Sequence, residues 1–129
     1  MSRQKAKGTR FETAVVNTLR TLLGDREQTI HREVLHGGKD VGDVTGVRIH
    51  GMPVVLEVKN HARYQIPEWM DEARVEAGNA DAPLWFVVFH RKGLGIDSVE
   101  SMGRQPVLTD LRTLALFAGH GVIEEEETV

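Results

Sequence analysis

Asp43 and Glu57 lie fourteen positions apart, and Lys59 follows Glu57 by two, at the end of the apolar run Val54-Val55-Leu56. In an extended strand alternate side chains share a face, so Val55, Glu57 and Lys59 point one way while Val54, Leu56 and Val58 point the other. A carboxylate and an ammonium then sit side by side on a strand that is otherwise built for a core, where an unpaired charge is expensive to bury. A divalent cation and a second carboxylate, Asp43, would offset that cost. Two carboxylates and a lysine around a metal ion are a set suited to phosphodiester hydrolysis. That reaction needs an activated water, neutralised charge on phosphorus and a stabilised leaving oxygen.

On this reading Asp43 and Glu57 are direct metal ligands and the backbone carbonyl of Val58 is a third. Oxygen donors favour magnesium, with manganese able to substitute. Lys59 faces the attacking water, orienting it and stabilising charge on the phosphate; a role as general base would require a depressed pKa.

Three segments together resemble the PD-(D/E)xK nuclease superfamily and, within it, Holliday junction resolvases of archaeal and phage type. They are Lys7-Gly8-Thr9-Arg10-Phe11-Glu12, His36-Gly37-Gly38-Lys39-Asp40-Val41-Gly42-Asp43 and Glu57-Val58-Lys59. Gly42-Asp43 stands where the superfamily's name has Pro-Asp. Tyr64 directly precedes Gln65, in place of the Gln-x-x-x-Tyr motif of the exonuclease branch. The resemblance implies a restriction-endonuclease-like α/β core of order αβββαβ plus a C-terminal helix, magnesium, DNA with four-way junctions as substrate, and a homodimer that places two cuts opposite each other. It also implies that Glu12 joins the catalytic set at the metal or its water shell. Thr9 to Glu12 equally fits a capping box, with Thr9 as the cap and Glu12 reaching back to the cap amide. A duplex, repair or restriction-type nuclease of the same chemistry remains open, as does a non-catalytic nucleic-acid-binding module or a subunit that needs a partner.

The candidate phosphate-gripping cations are Arg3, Lys5, Lys7, Arg10, Lys39, Arg63, Arg91 and Lys92. Lys39 belongs to the Gly37-Gly38-Lys39 loop, which suits either a phosphate cradle or an ordinary strand connection. The net charge of −3 hides an uneven distribution: without Glu124–Glu127 there are 16 basic and 15 acidic residues. The six histidines lack zinc-ligand spacing, and with no cysteine in the chain thiolate ligands and disulfides are excluded.

The elements that must position these residues follow from periodicity. Phe11, Val15, Leu19, Leu22 and Leu23 predict a helix over 9–23, ended by Gly24. Ile30, Val34 and Leu35 mark a short strand. Strands over 41–49 and 52–59 form a hairpin turning at His50-Gly51. Pro67 and Gly78-Asn79 bracket a second helix with Trp69, Ala73 and Ala77 on one face, where packing on the sheet is the favoured use of Ala73 and Ala77 and a dimer face the other candidate. Leu84–Phe89 predicts a central strand covered on both faces, Val107-Leu108 a short strand, and Thr109–Ala118 a last helix. The 129 residues, 40% of them apolar, predict one nuclease domain over 1–123, with a basic flexible arm at 1–8 and a disordered acidic tail at 124–129. No apolar run approaches a membrane span and the N-terminus is polar and basic, so the expected location is the cytoplasm, the bacterial host's if phage-encoded.

Overall fold

The computed structural model describes residues 3–33 and 40–125 of the chain. Element order is α1 Arg3–Leu23, β1 His31–Arg32, β2 Val44–Thr45, β3 Arg48–Ile49, β4 Met52–Lys59, α2 Ile66–Asn79, β5 Leu84–Phe89, α3 Val99–Met102, β6 Val107–Leu108 and α4 Leu111–Ala118. This is the expected α/β architecture of a mixed sheet flanked by helices. The sheet runs β1-β2-β4-β5-β6, with β3 paired to β4 beside that path. β4 and β5 are parallel, with Glu57 opposite Val87 and Lys59 opposite Phe89; the other pairings are antiparallel. A parallel pair needs a crossover, and α2 supplies it.

The alternation along β4 separates two apolar layers. Val54, Leu56 and Val58 pack with Phe11, Val15 and Val16 of α1. Val55 packs with Trp69, Ala73 and Ala77 of α2 and with Trp85 and Val87 of β5. Glu57 therefore points toward the α2 layer. Ala73 and Ala77 are buried inside the chain, so they do not form a face open to a partner.

Several expectations are corrected. α1 begins at Arg3, six residues before the expected start, so the basic segment expected as a flexible arm contributes the helix's first turns from Arg3 onward. Thr9 lies in the helix interior, and the capping box does not form. The strand expected over 41–49 is two short pieces, broken at Gly46. There φ is +95°, and a Cβ would collide with the Thr29 carbonyl, so the chain leaves the ladder where only glycine fits. The His50-Gly51 turn forms as expected, with both residues at positive φ, the conformation that matches strand twist in a two-residue hairpin. The last helix starts at Leu111, because the Asp110 side chain accepts from the Thr113 N–H at 2.8 Å and caps it. α3 is not among the expected elements; the Ser98 hydroxyl caps it, accepting from the Ser101 N–H at 3.1 Å. Val34, Leu35 and the 36–39 loop lie outside the described residues. Of the acidic tail, Glu125 pairs with Arg112 at 2.5 Å, and 126–129 lie outside the described residues.

Candidate active site

Asp43 is positioned by the sheet before its side chain acts. Its N–H donates to the Leu56 carbonyl (2.9 Å), and its own carbonyl accepts from the Glu33 N–H (2.8 Å). Its Oδ2 accepts from the Val58 N–H at 2.7 Å, across to β4. Gly42, at φ +98°, makes this approach possible: a Cβ there would press on Val55 and on the Leu56 carbonyl at 3.0–3.1 Å.

Asp43, Glu57, Val58 and Lys59 line one cavity of about 310 Å³ with Lys7, Gly8 and Glu12 of α1 and with Asn60, His61 and Ala62. The four residues expected to carry the chemistry are thus brought to one place. Glu57 is 4% exposed, and its Oε2 has no hydrogen-bond partner among the described residues; the same holds for Asn60 Oδ1 on the cavity wall. Burial first, and then Glu57 acting on Asp43 and Glu76 acting on Glu57, push the two each up to about 8. Buried oxygens without partners and carboxyls that resist ionisation are the features a cation would relieve. The donor set therefore fits a hard divalent ion held by Asp43 and Glu57.

Lys59 is mostly buried and pairs with Glu72 of α2 at 2.6 Å. Burial pulls the ammonium's pKa down, but Glu72, Glu57 and Asp43 outweigh it and the net direction is up. A raised pKa favours the ammonium form, which suits orientation and charge stabilisation, over the depressed value that a general base would need. Glu12, free of the cap, receives both Arg32 contacts on Oε2 at 3.0 Å. Burial, and then Asp43, raise its pKa.

The cations divide. Lys7 and Lys92 line an adjoining cavity of about 440 Å³ with Tyr64, His61 and His90, and the two cavities share Lys7, Asn60, His61 and Ala62. Arg3 and Lys5 are exposed on the opening turns of α1. Arg10 lines a different pocket, beside Asp97 and Ser98. Arg63 and Arg91 are exposed and line neither cavity, and Lys39 is outside the described residues.

Sequence reasoning missed Arg32, Asn60, Glu72 and Glu76. For Glu76 a signal existed: it falls between Ala73 and Ala77 on the stripe that buries α2, where a lone carboxylate has no solvent to face.

A family model described as "Phage putative PDDEXK endonuclease" matches residues 3–96, which span α1 through β5 and every candidate site residue. No curated protein and no solved structure matches the chain.

Proposed function

We propose that this chain, which belongs to the phage PDDEXK endonuclease family, is a magnesium-dependent endodeoxyribonuclease acting on branched DNA. The observation that carries the nuclease reading is the convergence of Asp43, Glu57, Lys59 and Glu12 on one cavity, with a buried Glu57 oxygen lacking any hydrogen-bond partner. The preference for four-way junctions rests on the order and spacing of the three segments that resemble resolvases, and a homodimer follows from the need for two opposed cuts. The working compartment on this reading is the host cytoplasm. No described helix is long and apolar enough to cross a membrane.

Asp43, Glu57 and the Val58 carbonyl would hold the ion, with Glu12 contributing through its water shell. Magnesium there would polarise the phosphate and make a bound water more acidic. The protein's own residues do the rest. The Val58 N–H fixes the Asp43 carboxylate, so the ligand is oriented before substrate arrives. Lys59 lines the same cavity, and its ammonium would stabilise negative charge on the phosphate and orient the water. Lys7 and Lys92, which line the adjoining cavity, would hold the flanking backbone.

The test is cleavage of a labelled four-way junction beside linear duplex of the same sequence. Paired symmetric nicks in the junction alone support the full reading. Equal cutting of the duplex keeps the nuclease and discards junction preference. Tight binding of both without cutting favours a binding module or an absent partner subunit.

A further inference from the structure

Glu76 is used by none of the chemistry above, yet it is 4% exposed and its Oε2, like that of Glu57, has no hydrogen-bond partner among the described residues. It does not line the cavity that holds Asp43 and Lys59, so it meets Glu57 from behind, on the α2 side. One turn earlier on the same helix, Glu72 adds a third carboxylate. The three residues each offer an oxygen, and all three oxygens lie within 4.8 Å of one another. Like charges at i, i+4 weaken a helix, and facing carboxylates in a core cost far more, so this arrangement calls for a positive ligand. The described ion pairs supply it only at the exposed end, where Lys59 meets Glu72; Arg32 serves Glu12, and the buried Asp43, Glu57 and Glu76 appear in none of them.

We propose that Glu57, Glu76 and Glu72 form a second divalent-cation position behind the first, with Glu57 shared between the two. Its sharing of Glu57 rests on the reading that Asp43 and Glu57 hold an ion. Three carboxylate donors suit magnesium or manganese. Glu72 is exposed, so the ion enters from the outer surface of α2. Because Glu72 spends Oε2 on Lys59, an ion that takes Glu72 competes with the ammonium and loosens Lys59 toward the cavity.

The experiment counts manganese bound to the full chain without DNA, by loss of the free-ion electron paramagnetic resonance signal. Wild type should bind two ions, Glu76→Gln one and Asp43→Asn one. Glu72→Gln, at an exposed position, should weaken one of the two by about tenfold or more while leaving the fold unchanged by circular dichroism. It decides the matter if Glu76→Gln fails to fold. One ion in wild type, kept by Glu76→Gln and lost by Asp43→Asn, overturns the second position and leaves the first. An ion kept by Asp43→Asn and lost by Glu76→Gln keeps the second position and removes the first. A cluster that binds no manganese, and holds only a shared proton, overturns both.

Discussion

Metal-free protein should lose stability as pH rises through the neutral range. Asp43 and Glu57 are pushed up to about 8, and Glu76 to about 7, by burial first; the next upward push comes from Glu57 on Asp43, from Glu76 on Glu57 and from Asp40 on Glu76. In the unfolded chain such groups ionise near pH ~4. A carboxyl whose folded pKa is raised contributes stability that is fully present below the unfolded value and is lost as pH rises through the folded one. Between about pH 5 and about pH 7 the native state therefore keeps protons that the unfolded state has released, and each one kept lowers stability by ~1.4 kcal/mol per pH unit. The three carboxyls share protons. Counting only one retained proton gives a loss of about 3 kcal/mol over that window, or ~10 °C in the melting midpoint of a domain this size. The assay is thermal unfolding by circular dichroism in chelator across those pH values, for wild type and for Glu57→Gln. The variant removes the central carboxyl and should flatten the dependence, which separates it from any contribution by histidines. Saturating magnesium should remove the decline, because the ion replaces the protons. A wild-type midpoint in chelator that is level or rising over the window would refute this picture of the site.

Lys59→Ala should cut turnover by about 10²–10³-fold while leaving DNA affinity within a few fold, read by single-turnover cleavage beside a binding titration. Glu12→Gln loses an exposed ion pair with Arg32 and should cost about 1 kcal/mol or less in urea unfolding, yet weaken magnesium dependence of cleavage by about 10–100-fold. Lys92→Ala should weaken binding to all DNA sequences alike and reduce the salt slope by about 1, as loss of one phosphate contact requires. Gly46→Ala forces a side chain onto the Thr29 carbonyl at positive φ and should destabilise the fold by about 2–4 kcal/mol in urea unfolding.

The parts of this molecule that were readable from residues are those where local pattern and tertiary role agree. The β4 alternation assigned Val54, Leu56 and Val58 to one layer and Val55 and Glu57 to the other, because both faces of that strand are covered and each demands its own side chains. Trp69, Ala73 and Ala77 announced the buried stripe of α2 in the same way. Where a local signal pointed elsewhere, the reading slipped. Thr9 and Glu12 have the spacing of a cap, but the polar turns before them continue the helix, which begins six residues before the start that spacing predicts. Gly46 looked like one residue within a strand until the Thr29 carbonyl crossed behind it. Glu76 lies on the buried stripe of α2 and Glu72 on its exposed side. Only the docking of α2 against β4 brings them to Glu57 and Lys59, and no spacing along the chain encodes that meeting.

The most direct test of the account is cleavage of labelled branched DNA by wild type and Asp43→Asn, each with magnesium and with chelator. Cutting by wild type in magnesium alone, with the variant folded but inactive, is the expected result. Cutting that persists in chelator, or at the wild-type rate in Asp43→Asn, would contradict a metal-dependent site built on that carboxylate.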